Sequence, residues 1–255
     1  METNRLVVQT YGHTLGREET LVRRVAQQRG LPIVEAGAKQ MERSRVALQE
    51  ADLVVGSVGF TRHAMRQLGI TLPEHTPYPS ALTPWLHRAV RRVPQLGLVQ
   101  RSLHEGARPL FVKPAADWKR FTGFVAEYAD DYRFAGVSRR LPVWVSEPVN
   151  FVSEWRAYVA NHALRAVKFA DHGGNREARP DEGAIAQAVA ALAAAGQAPA
   201  GYVVDFGVLD TGQTALVELN DGFSFGAYDG LDAEILFDVL NARWRELIAA
   251  RLPAA

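Results

Sequence analysis

Asp205, Glu218 and Asn220 lie in the stretch VVDFGVLDTGQTALVELNDGF, residues 203–223. Two β-rich runs flank the turn-forming residues DTGQ, which predicts a hairpin. With Thr211 and Gly212 as the central turn residues, Asp205 faces Glu218 and Val203 faces Asn220. Like charges directly opposed across a strand pair are destabilising. Glu218 and Asn220 share a face because side chains alternate along a strand. Three oxygen donors on one sheet face suit a hard divalent cation, which would remove the repulsion. Magnesium is held by one or two carboxylates together with substrate phosphates. The plainer alternative is that one carboxylate faces solvent and the other pairs with an arginine. A bulge at Gly212 would shift this register.

Cations recur upstream. Lys113 sits in the apolar run LFVKPA, where burial is costly unless the ammonium meets an anion. Lys119, in DWKRFTGF, precedes Thr122 and Gly123 in a segment suited to phosphates. Arg156 and Lys168 belong to EWRAYVANHALRAVKFAD, a predicted hairpin turning at Asn161 and His162. A simple register puts these two on opposite faces, unless the sheet is bulged. In VSEPVNFVSEWR a strand exits at Glu147 and proline removes a backbone donor. Such a connector, with Glu154 seven residues after Glu147, could edge a purine and its sugar.

The elements that must carry these residues fall into three stretches. Residues 1–80 alternate strands (RLVVQ, LPIVEAG, ADLVVGSVGF) with helices (GREETLVRRVAQQRG, TRHAMRQLG), which predicts a small parallel sheet with covering helices. TLPEHTPYPS reads as a linker. Residues 81–149 are expected to hold a helix over ALTPWLHRAVRRV and strands at PLFVKPA and LPVWVSEPVNF. Residues 150–255 hold the two hairpins, the helix DEGAIAQAVAALAAAG and a closing amphipathic helix. Net charge is +1, so no strong field points to nucleic acid or a membrane surface. The chain has no cysteine, which excludes disulfides and thiolate chemistry. No apolar run reaches a membrane span, and the start lacks the apolar core of a signal peptide; a cytoplasmic protein is expected.

FVKP, KRFTG, SEPVNFVSE, the basic hairpin and Asp205 with Glu218 and Asn220, in this order, resemble the ATP-grasp superfamily. The likeness runs from about residue 111 to 221. It is nearest to a compact clade common in bacteria and phages, with FTG, EWR and NDGFSFG among its signatures. The resemblance implies an α/β fold of mixed lobes, with a small parallel α/β lobe preceding the ATP-grasp fold. It implies that Lys113 and Lys119 contact ATP phosphates, that Glu147 and Val149 hold adenine through the backbone, and that Glu154 takes the ribose. Arg156 and Lys168 would lie near the phosphates or an acyl-phosphate; Asp205, Glu218 and Asn220 would bind magnesium. Lys168 departs from better-known ligases, which often have arginine there. The implied activity is carboxylate–amine ligation at the expense of ATP, with an amino acid or peptide among the substrates. A kinase on the same ATP site, a nucleotide-binding module without turnover, and a metal-dependent hydrolase are the rivals.

Two segments, ADWKRFTGFVAEYADD and ADHGGNREARPDEG, combine glycine and charge with little apolar content. They are expected to act as lids that bring Lys119 and Asn175 to the phosphates, with His172 in the second. In VVGSVGFTRH, backbone donors at a helix start could meet an anion, although a tight strand-to-helix turn explains the same glycines. The histidines form no ligand spacing.

Overall fold

The structure is a computed structural model that describes residues 3–71, 74, 76–115, 121–170 and 173–251. The chain opens with β1 (Arg5–Thr10), α1 (Arg17–Gln28), β2 (Ile33–Gly37), α2 (Ala38–Glu42), β3 (Asp52–Val55) and α3 (Val58–Gln67). These strands form a parallel sheet in the order β2-β1-β3. Leu6, Val7, Val8, Leu53, Val54 and Val55 are all buried, because a parallel strand is covered on both faces. After α1, Gly30 takes the left-handed conformation, φ +67°. Its N–H reaches Gln27 O at 3.1 Å and Leu31 N–H reaches Ala26 O at 2.9 Å, which stops the helix where the sequence places its glycine.

The expected helix over ALTPWLHRAVRRV is corrected. Its first part is a short 3-10 helix, Ser80–Trp85, and its last part is a strand, β4 (Val90–Val93). Pro84 interrupts the helical ladder, His87 turns the chain at φ +49°, and Val90 to Val93 pair with a distant strand. There follow α4 (Leu96–His104), β5 (Leu110–Pro114), β6 (Phe124–Ala126), β7 (Val143–Ser146), β8 (Phe151–Ala160), β9 (Ala163–Phe169), α5 (Glu182–Ala194), β10 (Gly201–Leu209), β11 (Thr214–Asp221) and α6 (Ala233–Ala249). α4 buries Leu96, Val99 and Leu103, a helical spacing that Gly97 and the preceding Pro94 obscure in the sequence.

Two antiparallel sheets result, ordered β4-β7-β5-β6 and β11-β10-β8-β9. Tyr202, Val204 and Phe206 of β10 pack in a core with Ile185, Val189 and Leu192 of α5. Val203 of the opposite face shares a core with Leu236 and Leu240 of α6 and with the parallel sheet. α6 therefore sits between the parallel sheet and the β11-β10-β8-β9 sheet. Gly201 is needed there: a Cβ would meet Val239 O at 2.1 Å. Asp205 continues the Val203 face beyond the helix. The architecture is mixed α/β, with a parallel amino-terminal sheet and two antiparallel sheets. Among the described residues, no helix is long and apolar enough to cross a membrane.

Candidate active site

Two bulges align the charged residues. The β10–β11 loop contains Asp210, Thr211 and Gly212, closed by Leu209 N–H to Gln213 O at 2.9 Å, with Gly212 at φ +83°. It is one residue longer than the two-residue turn expected. Near the loop Val208 therefore pairs with Thr214. A bulge beside Asp205, which leaves Val217 unpaired, restores the expected partners: Asp205 opposite Glu218 and Val203 opposite Asn220. In the second hairpin Asn161 and His162 both take positive φ, 50° and 63°, as a tight two-residue turn requires. A bulge between Tyr158 and Val159 then places Arg156 directly opposite Lys168. The simple register, which separates these two onto opposite faces, is corrected by that one extra residue. Asp205 also pairs with Arg156 across β10 and β8. Glu218, Asp205, Arg156 and Lys168 thus form one row across all four strands, with Asn220 and Glu154 two residues along the same face.

The row is internally compensated. Arg156 Nε and Nη2 donate to the two Asp205 oxygens, each at 2.7 Å, and Nη1 donates to Gly226 O at 3.0 Å. The guanidinium also lies 4.8 Å from the Tyr228 ring centre. Burial pulls the Arg156 pKa down, but the bonds and charge of Asp205 more than offset it, so the group is held above its ordinary value. Lys113 Nζ donates to Glu218 Oε2 from the neighbouring sheet. Burial acts against its charge too, and Glu218 and Tyr78 outweigh it, leaving Lys113 raised. Asn220 Nδ2 bridges Asp205 Oδ2 at 3.2 Å and Glu218 Oε1 at 3.0 Å. An arginine does pair with one carboxylate, as the plainer alternative had it, but the other meets a lysine rather than water alone. Among the described residues no cluster of three or more Asp, Glu, His or Cys could hold a metal ion. Two carboxylates and one amide remain, and that set fits magnesium, which fills its other positions with phosphate and water.

A cavity of about 150 Å³ opens beside Glu218. It is lined by Lys113 and Phe111 of β5, by Glu147 and Val149 of the connector after β7, and by Phe151 of β8. Lys113, Glu147, Val149 and Glu218 thus converge on one space. Glu154 does not line it and lies on the face of the charged row. The Glu147 carboxylate accepts from Ala89 N–H at 3.1 Å, and its carbonyl accepts from Ser146 Oγ at 3.0 Å, which fixes the connector. Tyr78, Arg88 and Phe151 also line the cavity and were not singled out in the sequence reading. Arg88 donates to Leu86 O and Leu216 O at 3.0 and 2.7 Å. Burial lowers its pKa, with Tyr78 opposing the shift. Its sequence signal was hidden inside the expected helix that the structure replaces. Phe151 presses on Gly207, where a Cβ would approach to 2.1 Å. Lys119 and His172 lie outside the described residues. Asn175 is engaged locally, its N–H on Val152 O at 2.7 Å and its Oδ1 accepting from Glu177 N–H at 3.0 Å.

On the other side of Glu218, Asn220 and Arg156 lies a second cavity of about 340 Å³. It is bounded by Tyr11, Gly56 and Ser57 at the carboxyl ends of β1 and β3, where the strand order reverses. Such switch points are where open parallel sheets bind ligands. Packing accounts for Gly56, since a Cβ there would meet Gln9 at 2.7 Å, and Gln9 Oε1 already takes the Ser57 N–H at 2.7 Å. A larger depression of about 560 Å³ lies on the far face of β11, beside Leu219 and Asp221. Size alone does not make it the reaction centre: its Arg243 is committed to Asp221 and Glu246, and the charged row is elsewhere.

A family described as an ATP-grasp domain, the second family of its clade, matches residues 85–239. A RimK domain ATP-grasp protein from Sphaerobacter thermophilus DSM 20745 shares the fold with a TM-score of 0.58 at 14% identity, over 92% of this chain and 99% of that one. The D-cycloserine synthetase DcsG gives 0.57 at 14% identity, over 97% and 99%. The macrocyclase MdnC from Microcystis aeruginosa MRC, bound with precursor peptide MdnA, gives 0.51 at 10% identity, over 96% and 100%. No curated protein sequence matches the chain.

Proposed function

The chain belongs to the ATP-grasp family, and we propose that it is an ATP-dependent carboxylate–amine ligase. The observation that supports this reading is the row of Glu218, Asp205, Arg156 and Lys168, whose Glu218 lines the cavity shared with Lys113, Glu147 and Val149 and whose Glu218 and Arg156 line the second cavity. Two acids and several cations, placed between a base-sized slot and a second cavity, suit phosphoryl transfer. That chemistry needs positioning and charge stabilisation rather than a side-chain nucleophile.

In this proposal the backbone at Glu147 and Val149 edges the adenine, Glu154 takes the ribose, and Lys113, Arg88 and Lys119 hold the phosphates. Asp205, Glu218 and Asn220 bind magnesium, which supplies charge neutralisation of the phosphates. Lys113 and Arg156, which pair with those acids in the structure, then turn to the phosphate oxygens. The second cavity receives the co-substrates. A carboxylate oxygen attacks the γ-phosphorus, ADP leaves, and Arg156 and Lys168 stabilise the acyl-phosphate. An amine attacks the acyl carbon, loses a proton, and phosphate departs with one former carboxylate oxygen. Neighbours of this fold named as a D-cycloserine synthetase and as a macrocyclase bound with its precursor peptide support an amino acid or peptide as substrate.

The test is turnover with pools of carboxylic acids, amino acids and amines. A ligase releases ADP and free phosphate only when both an acid and an amine are present. ADP without free phosphate indicates a kinase, and nucleotide affinity without turnover indicates a binding module; either result rejects the ligase reading.

A further inference from the structure

We propose that Glu18, in the first turn of α1, is a positioning residue for Arg156 and acts on it through a single peptide group. The loop between β11 and α6 runs from the charged row to the parallel sheet. Its Phe223 and Ala227 are buried in the core that α6 shares with that sheet. Its Ser224 Oγ donates to Gly56 O, just beyond β3, at 2.9 Å. Within this loop the peptide joining Gly226 to Ala227 is held at both of its polar atoms. Its N–H donates to Glu18 Oε1 at 2.8 Å. Its carbonyl accepts from Arg156 Nη1 at 3.0 Å. The amide is planar, with N–H and C=O pointing in opposite directions, so fixing one end aims the other.

Glu18, Gly226 and Arg156 line the same cavity of about 340 Å³. A Cβ on Gly226 would lie 3.7 Å from Glu18 Oε1 and 3.8 Å from Arg156 Nη1, so this residue stands between the two. Those are ordinary contact distances, and space does not demand the glycine. A glycine leaves its backbone free to rotate, and the Glu18 carboxylate removes that freedom. The next peptide has its own holder: Tyr228 N–H donates to the Tyr158 hydroxyl at 3.0 Å. The same hydroxyl reaches Gly226 O at a longer 3.4 Å. Arg17 and Asp229 join α1 to the loop a second time at 2.7 Å, but both are exposed and such a pair counts for little.

The consequence rests on the role proposed above for Arg156. Asp205 takes two of its bonds, at 2.7 Å each. When magnesium takes Asp205, those two bonds are lost. The bond to Gly226 O is the one the guanidinium keeps as it turns to the phosphates, with the Tyr228 ring bounding its path. The carbonyl is then a pivot, and Glu18 fixes the pivot from the amino-terminal lobe. Without Glu18 the peptide samples several orientations, and the ordering of Arg156 opposes binding.

Nucleotide binding tests this. Dissociation constants for a non-hydrolysable ATP analogue with magnesium, and for AMP, are measured on the wild type, Glu18→Ala, Glu18→Gln, Arg156→Met and the double variant of Glu18→Ala with Arg156→Met. Glutamine keeps an oxygen that accepts the Ala227 N–H, whereas alanine has none. Thermal midpoints verify that each variant is folded at the assay temperature. The expected result is that Glu18→Ala weakens the ATP analogue about threefold to tenfold, on the scale of one hydrogen bond. Glu18→Gln stays within about twofold of the wild type, AMP stays within about twofold in both, and the loss from Glu18→Ala largely disappears beside Arg156→Met. A bare charge effect has the opposite sign, since removing an acid near the phosphates strengthens nucleotide binding in both variants. Glutamine as weak as alanine, an unchanged or tighter ATP analogue in Glu18→Ala, or full additivity with Arg156→Met overturns the positioning role. The comparison of alanine with glutamine decides the matter without the Arg156 variants. If Arg156→Met does not weaken the ATP analogue, the phosphate role of Arg156 falls, and this inference falls with it. If Arg156→Met weakens it and Glu18→Ala does not, the role of Arg156 stands and that of Glu18 is refuted.

Discussion

Asp205→Asn is expected to cost the free protein stability before any question of catalysis arises. The side chains of Arg156 and Asp205 are only 11% and 9% exposed, and two parallel bonds of 2.7 Å join them. Removing one member of a buried pair leaves an uncompensated charge and costs about 3–5 kcal/mol. Asparagine keeps one acceptor oxygen, and Arg156 keeps Gly226 O and the Tyr228 face, so the lower end, about 3 kcal/mol, applies. For a chain of this size each kcal/mol moves the thermal midpoint by about 2–4 °C, giving a fall of about 6–12 °C. Calorimetry of the ligand-free protein measures it. The double substitution Asp205→Asn with Arg156→Met should recover part of the loss, because it removes the buried charge that the single substitution leaves uncompensated. A midpoint within about 2 °C of wild type for Asp205→Asn alone would show that Arg156 is well solvated and refute the reasoning.

Glu218→Gln should fold, lose turnover by about a hundredfold to a thousandfold, and bind metal-free nucleotide no worse than wild type, since Lys113 is released; titration with and without magnesium checks the binding. Retained turnover would remove Glu218 from the metal site. Gly201→Ala forces a methyl group against Val239 O of α6 and should lower stability by about 1–3 kcal/mol in denaturant titrations. Burial, the largest influence on Glu19, holds its pKa above the usual 4.5, with the Tyr11 hydroxyl only partly opposing. Its contribution is fully present below 4.5 and is lost as pH rises through the folded value, because the unfolded chain releases its proton first. Glu19→Gln should therefore flatten the decline of thermal midpoint between pH 4.5 and neutrality, and an unchanged slope would contradict the shift.

The parts of the fold that follow a local rule were legible in the sequence. β1 and β3 announce themselves as short buried runs, α1 by its acids and its terminal glycine, and the β10–β11 hairpin by its turn-forming residues. The Asp205–Glu218 pairing was anticipated through two compensating differences, a longer loop and a bulge at Val217, which only tertiary packing decides. The same limit hid the Arg156–Lys168 alignment, since nothing in EWRAYVANHALRAVKF marks the bulge near Tyr158. β4 looks helical in the sequence because VRRV gains its strand character from pairing with β7 rather than from its own pattern. That expectation concealed Arg88, and the proline-rich look of the linker concealed Tyr78. Both reach the cavity through contacts distant in the chain, which spacing does not encode. The pairing of the acids with Lys113 and Arg156 is likewise a three-dimensional fact.

The central claim is that a carboxylate is activated by phosphoryl transfer on the charged row. The most direct measurement follows the oxygen. The protein is incubated with ATP, magnesium, an amine pool and carboxylic acids labelled with heavy oxygen in the carboxylate, and the released phosphate is examined by mass spectrometry. Attack by the carboxylate and displacement by the amine must leave one labelled oxygen in each phosphate. One heavy oxygen per phosphate, absent without the amine and absent in Glu218→Gln, is the predicted result. Unlabelled phosphate formed at the wild-type rate, or ADP formed with the phosphate retained on an acceptor, would contradict the account.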